Sequence, residues 1–306
     1  MRILVTGSDG FIGSALVKEL RYVGHRVMLC PRYEPFGPLL DELKPDAIAH
    51  LAGIPPYGPI RSQISENVEL VRELAVESAS RGIKVVLAST PEMFDHNALI
   101  EAREVMTPWG PSKGLFHMVK TWAEELCQRY AAANFASMRF SLPYGPGQPL
   151  ACELMKMIWQ GVYDAEVVVY SNTFRSWTYI GDAARAARLV VERGTGSYNI
   201  GRDDDASWVH GAAAAPTETM ADWATTICEL VGRNPEATIE LTDNPLGPGI
   251  VLNRPSTAAI RDFGWRPTVG MRTGLEESIA YVKETFTEDG SFRPVKDDVD
   301  DVAEDA

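Results

Sequence analysis

Cysteine is scarce: Cys30, Cys127, Cys152 and Cys228 are the only four in 306 residues, and no two stand at metal or redox spacing. Scattered thiols of this kind are expected as reduced core residues in a reducing compartment, so a cytoplasmic location is expected. Basic residues are also short. The 29 Lys and Arg face 42 Asp and Glu, a formal net charge of −13. Such a surface repels phosphate backbones and anionic lipid, which excludes nucleic acid and membrane surfaces as expected partners. Long apolar runs are missing, and Met1-Arg2 leads directly into Ile3-Leu4-Val5, so neither a secretory signal nor a membrane span is read. His96, His117 and His210 keep no ligand spacing with acids or cysteines, and no metal is expected.

What is present alternates. Short apolar runs at Ile3–Val5, Arg26–Cys30, Ala47–Leu51, Val85–Ala88 and Ala136–Phe140 are separated by helical patterns near Phe11–Leu20, Leu39–Leu43, Asn67–Ser80 and Lys113–Ala131. Strands that alternate with helices specify an α/β fold with a Rossmann-type doubly wound parallel sheet, helices covering both faces. Beyond Pro143 come helical patterns near Ala151–Gln160, Asp182–Glu192, Met220–Gly232 and Gly274–Thr285, which predict a smaller α/β substrate lobe. The expected division is residues 1–145 for the dinucleotide, completed by segments around 165–202, an interleaved lobe at 146–290, and a disordered acidic tail at 291–306. Asp203–Pro216 reads as a mobile loop, and Asp297–Ala306 carries six acids.

The chemistry begins at Thr6-Gly7-Ser8-Asp9-Gly10-Phe11-Ile12-Gly13, which follows a strand and opens a helix. Gly7 suits a tight turn, Gly10 lets the backbone approach a pyrophosphate, and Gly13 lets helix pack on strand. The helix N-terminus adds free N–H groups and a favourable dipole. At the end of the second strand, where NAD sites place an acid, the chain reads Cys30-Pro31-Arg32. A guanidinium there matches a ribose 2′-phosphate, so NADP is expected ahead of NAD; Arg32 is otherwise a solvated loop charge.

Further segments follow in order: His50-Leu51-Ala52-Gly53, Asn67-Val68, Ala88-Ser89-Thr90, Pro108-Trp109-Gly110-Pro111-Ser112-Lys113, Tyr144-Gly145-Pro146, Tyr179-Ile180-Gly181-Asp182 and Tyr198-Asn199-Ile200-Gly201. Together they resemble the extended short-chain dehydrogenase/reductase family, also called the NAD-dependent epimerase/dehydratase family, over roughly residues 1–285. The resemblance implies a dinucleotide held by Gly7, Asp9, Gly10, Phe11, Ile12, Gly13, Arg32, Leu51, Ala52, Gly53, Asn67, Ala88, Ser89, Lys113, Ser141 and Pro143. It implies substrate contacts at Thr90, Pro91, Trp109, Leu142, Tyr144 and Arg175, and frequent homodimers.

The same resemblance implies a Ser/Thr hydroxyl after the fourth strand and a Tyr-x-x-x-Lys at a helix start, where tyrosine carries the proton and lysine lowers its pKa and holds the ribose. Thr90 matches the hydroxyl and Lys113 the lysine, which puts Trp109 in the tyrosine's place. An indole N–H donates but does not ionise near neutral pH, and no tyrosine lies between Asp95 and Lys113. Three routes stay open: a proton from water, Thr90 or the substrate; a distant group such as Tyr57 or Tyr144; or dinucleotide binding without turnover. Atypical members lacking the tyrosine, such as angucyclinone-type polyketide ketoreductases, resemble the first case.

Leucine stands at Leu142 where sugar-nucleotide members tend to read asparagine, and Leu154, Met155, Met157, Ile158 and Trp159 follow, as core or as an apolar pocket wall. Arg175 matches a family arginine that often meets substrate phosphate, or is a surface charge. His50 is expected to be packed and hydrogen-bonded. The leading expectation is an NADPH-dependent carbonyl reductase of a biosynthetic intermediate more apolar than a sugar nucleotide. The alternatives are a nucleotide-sugar epimerase, dehydratase or reductase with a relocated acid/base, and a non-catalytic dinucleotide-binding subunit.

Overall fold

In the computed structural model, which describes residues 1–30, 35–91, 114–170, 173–202, 218–242, 251–253 and 257–293, six parallel strands form the central layer. Arg32, Trp109, Lys113, the Asp203–Pro216 loop and the acidic tail lie outside the described residues. The strands are β1 (Arg2–Thr6), β2 (Arg26–Cys30), β3 (Ala47–His50), β4 (Lys84–Ser89), β5 (Phe135–Phe140) and β10 (Gly196–Ile200), in the spatial order β10-β5-β4-β3-β1-β2. The α/β class and the Rossmann-like parallel sheet are as expected. The order differs from the six-strand Rossmann arrangement, which places a further strand outside β2 and one fewer on the opposite side of β1. Here β2 is an edge strand among the described residues.

Residue alternation explains the two covered faces. Ile3 and Val5, Ala47 and Ala49, and Val86 point to one side, where α1 (Phe11–Tyr22) brings Leu16, Val17 and Leu20 and α7 (Ile180–Arg193) brings Ala183, Ala186, Ala187 and Val190. Leu4, Ile48, Val85 and Leu87 point to the other, against α2 (Phe36–Leu43), α4 (Leu70–Ser80) and α5 (Leu115–Ala131). Strands buried on both faces read as continuous apolar runs, which is why Ile3-Leu4-Val5 shows no period of two. Each fully buried branched side chain contributes about 2 kcal/mol. A short α3 (Ile60–Ile64) and a π-helical turn at Ser65–Glu69 lead into α4.

A second core gathers beyond Phe140. The segments are β6 (Pro143–Tyr144), α6 (Glu153–Val162), β7 (Val167–Tyr170), β8 (Thr173–Arg175), β9 (Thr178–Tyr179), α8 (Met220–Val231), α9 (Pro235–Thr238), β11 (Ile239–Thr242), β12 (Val251–Asn253), α10 (Ala258–Arg261) and α11 (Met271–Thr285). Three two-stranded parallel pairs, β11-β7, β12-β8 and β6-β9, replace a second large sheet. Leu154, Met155, Met157 and Ile158 are buried against Trp223, Ile227, Leu275 and Ile279, so that face of α6 is core and not a pocket wall. Among the described residues no helix is long and apolar enough to cross a membrane.

The two cores are joined at Asp182, which is almost fully buried in the first turn of α7. Its carboxylate accepts from Thr268 N and Val269 N, both at 3.0 Å, and from the Thr268 hydroxyl at 3.0 Å, while Arg185 pairs with it. The carbonyl of Asp182 accepts from Trp265 Nε1 at 3.0 Å. One residue thus fixes the segment entering α11 to the large sheet. Asp182→Ala leaves these donors unpaired and is expected to cost about 3 kcal/mol in urea unfolding; a loss below about 1 kcal/mol would show the joint is redundant.

Candidate dinucleotide and active site

The turn from β1 to α1 is shaped by what glycine permits. Gly7 holds φ +62° and donates to Cys30 O at 2.9 Å, closing the turn on β2. A Cβ on Gly13 would collide with the Gly7 carbonyl oxygen, so only glycine lets α1 start so close to β1. Gly10 caps α1 with no side-chain hydrogen bond, and the first turn carries no acid. The leading N–H groups are left for an anion, the arrangement a pyrophosphate needs.

Around this turn lies a cavity of about 380 Å³ at the C-terminal ends of β1 and β3, where strand order reverses. Gly7, Asp9, Gly10, Leu51, Ala52 and Gly53 all line it, so the structure brings these expected residues together. Cys30, Phe36, His50, Glu66 and Leu70 complete the wall. Phe11, Ile12 and Gly13 sit in the first turn of α1. Thr90 and Pro91 are buried just past β4, and Ser141 is buried past β5, its hydroxyl donating to Ser176 O at 3.2 Å.

His50 is packed and hydrogen-bonded. Thr6 Oγ1 accepts from Ala52 N at 3.3 Å and is hydrogen-bonded to His50 Nδ1 at 2.9 Å, the direction following the ring tautomer. Phe36 packs edge-on to the ring at 6.2 Å. Burial, reinforced by the Lys120 ammonium, holds the imidazole down at about 3. Between pH 6.5 and about 3 the unfolded chain binds a proton that the folded chain refuses. Stability therefore falls on acidification across this window, by up to about 1.4 kcal/mol per pH unit from this group. His50→Gln is expected to flatten that part of the urea-stability profile, and an unchanged slope would contradict the assignment.

Lys120 is a candidate site residue that the sequence reading did not name. It lies on α5, is 8% exposed, and donates from Nζ to Ala88 O, at the end of β4, at 3.2 Å. A Cβ on Gly53 would stand 3.4 Å from Nζ and 2.5 Å from Asn67 Oδ1, so the ammonium lies directly behind Gly53, a residue of the cavity wall. Asn67 is buried, with Nδ2 donating to Ile54 O at 3.1 Å and Oδ1 left unpaired. Phe116, one turn earlier, puts its ring centroid 5.7 Å from Nζ. The aromatic-x-x-x-Lys spacing therefore occurs twice, at Trp109-Lys113 and again at Phe116-Lys120. The signal that separates them follows Lys120: Glu124, one turn on, accepts from Arg139 of β5 at 2.7 and 3.0 Å in a buried ion pair. Burial lowers Lys120 to about 8, and Glu124 opposes the shift.

Leu142 holds φ +37°, a left-handed conformation that costs a non-glycine residue about 1–2 kcal/mol. Its carbonyl accepts from Thr178 N at 3.2 Å, and its half-buried side chain packs on the second core. Tyr144 is in that core, its hydroxyl against Gly274 and its ring edge-on to Trp223 and Tyr179. Burial pushes its phenol far up, which unsuits it to proton transfer. Tyr57 is 60% exposed. Arg175 pairs with Glu153 at 3.4 Å.

A glycine cradle, an uncapped helix start and a cleft at the reversal of strand order define a dinucleotide-binding α/β protein. Residues 3–201 match the model of the NAD dependent epimerase/dehydratase family, and the chain belongs to that family. UDP-glucuronic acid decarboxylase 5 of Arabidopsis thaliana is 26% identical over 316 residues, covering 90% of this chain and 87% of that protein. UDP-glucuronic acid 4-epimerase from Bacillus cereus, solved with NAD, superposes with a TM-score of 0.77 at 20% identity, covering 92% of this chain and 99% of that one. MoeE5, solved with UDP-glucose and NAD, gives 0.74 at 25% identity, with 92% and 99% covered.

Proposed function

We propose that the protein carries out nicotinamide-dependent redox chemistry at a carbon of a nucleotide-linked sugar. The observation that carries this reading is the extent of the likeness. It runs through the second lobe as well as the dinucleotide-binding part, and the relatives it reaches are sugar-nucleotide enzymes by name. This reverses the order of the sequence-based expectations, which put an apolar ketone first.

In this reading the Gly7–Gly13 turn holds the pyrophosphate, while Leu51, Ala52, Gly53, Ala88 and Ser89 line the path toward the nicotinamide. Lys120 takes the ribose hydroxyls, the role the resemblance gave to Lys113, and Thr90 offers its hydroxyl to the reacting oxygen. The nicotinamide supplies hydride transfer when bound. Each residue here binds, orients or excludes water; none of the described tyrosines is positioned as a proton carrier beside Lys120. For the cofactor we infer NADP ahead of NAD. β2 ends on Cys30 at the cavity wall, with no acid at the strand end itself, and in the sequence Arg32 follows two residues later, ahead of Glu34.

A ketone reductase is the second reading, favoured by one observation. Leu142 keeps an apolar side chain at a strained position where asparagine sits at lower cost.

Two measurements test these assignments. Calorimetric titration is expected to show tighter NADPH than NADH binding, with Arg32→Ala weakening NADPH by about 10-fold; equal affinities in the parent protein overturn the NADP preference. UDP-glucose and UDP-glucuronic acid, incubated with the protein and dinucleotide, are expected to give products resolved by proton NMR. Consumption of cyclic aromatic ketones with NADPH, and of neither sugar nucleotide, would replace the first reading with the second.

A further inference from the structure

Phe116 stands where the spacing calls for a phenol, and phenylalanine carries no proton to give. The chain needs another group that exchanges a proton at the reacting oxygen. Asp9, Cys30, His50 and Glu66 are the described titratable residues that line the cavity, and Lys120 lies beside its wall at Gly53; His50 and Lys120 are the two held against the ends of β3 and β4. His50 has its Nδ1 committed to Thr6 and its ring sealed under Phe36, with Nε2 buried from solvent. Lys120 adjoins the cavity wall at Gly53, on the same helix face as Phe116, and among the described residues Nζ donates to Ala88 O alone, which leaves further hydrogens for a ligand.

We propose that Lys120 is itself the proton-carrying residue of this site, combining the ribose-holding role of a lysine with the acid/base role of the absent tyrosine. The inference rests on the redox reading above. In the oxidative direction the neutral amine takes the O–H proton of a secondary alcohol while the C–H hydride leaves for the bound nicotinamide dinucleotide, giving ketone and ammonium. In the reductive direction the ammonium returns the proton to the oxygen as hydride arrives at carbon. Electrons and protons balance with the dinucleotide as the only co-reactant.

The surroundings favour a lysine that changes charge in the working pH range. Nζ is buried with Glu124 one turn further along α5, and the Arg139 guanidinium of β5 draws that carboxylate toward itself. From β3 the His50 ring faces it uncharged, and from the π-helical turn comes the neutral amide of Asn67. Desolvation therefore wins over Glu124 and brings the amine to about 8. Among the described residues one other lysine shares the shift: Lys84 donates to Val190 O and Val191 O at the end of α7 and is also lowered to about 8 by burial.

The test begins with the unliganded protein, so that it does not depend on turnover. Lysines labelled with carbon-13 at Cε are titrated by NMR. Two resonances are expected to move near pH 8, one lost in Lys84→Arg and the other shifted in Phe116→Leu, which removes the ring facing Nζ. Titration of the Phe116-sensitive lysine above about 10, with the ordinary lysines, overturns the proposal. The second arm is turnover of UDP-glucose or UDP-glucuronic acid. The oxidative rate is expected to rise with pH to a plateau above 8. Lys120→Arg, which keeps the charge and the donors but does not release a proton, is expected to lower kcat by about 100-fold and to abolish that limb. Its affinity for the dinucleotide, read by calorimetry, stays within a few-fold. Full turnover with an unchanged pH profile in Lys120→Arg overturns the proposal. Should that variant not fold, Phe116→Tyr replaces it: a restored phenol is expected to displace the limb from pH 8, and an unmoved limb counts against Lys120. A titration near 8 without turnover of either sugar nucleotide removes the substrate assignment and still supports the lysine.

Discussion

The buried pair between Arg139 and Glu124 governs the geometry of the site. A carboxylate and a guanidinium removed from water are tolerated only when each satisfies the other, and here three N–O contacts do so between α5 and β5. The pair fixes the rotation of α5 about its axis, because helix residues four apart share a face. Once Glu124 points at β5, Lys120 must point at the end of β4, and Phe116 must follow one turn beyond it. The position of the cationic group is thus set by a contact that touches no ligand. Removing Glu124 alone would strand Arg139 in the sheet, which makes the pair costly to break as well as geometrically decisive.

Much of the large sheet was legible because its determinants are local. The Thr6–Gly13 turn, the continuous apolar strands and the α4 and α5 patterns each carry their information within a dozen residues. The order of the strands was less so. Nothing in the sequence around α2 announces that β2 is left at an edge among the described residues, because strand neighbours are chosen by the whole chain. The site was read in part. Its glycine and Leu-Ala-Gly segments converge on one cavity, but the lysine was assigned to the first aromatic-x-x-x-Lys in the sequence. Choosing between two equal spacings requires knowing that Glu124 meets Arg139, a contact across fifteen residues. Leu142 was legible as a departure in residue type, whereas its left-handed backbone belongs to tertiary structure: β6 and β9 must pair immediately after β5 has ended.

The second lobe is organised on a different principle from the first. Instead of a sheet, an aromatic group of Tyr144, Trp177, Tyr179 and Trp223 packs edge to face, with helices α6, α8 and α11 around it. Edge-to-face contacts favour definite relative orientations, so a lobe whose described strands form two-stranded pairs still has a defined core. Asp182 then transmits that definition to the large sheet.

The exposed flank of β2 has a consequence for how the sheet can diverge in sequence. In a sheet with a strand on either side of β2, any change at the strand's end is transmitted to two neighbours. Here, among the described residues, only β1 is paired with it, and Leu29 already faces solvent at 48% exposure. A substitution on the outer flank of β2 is therefore transmitted to one described neighbour instead of two, and that flank is open to change in sequence at little cost in folding stability.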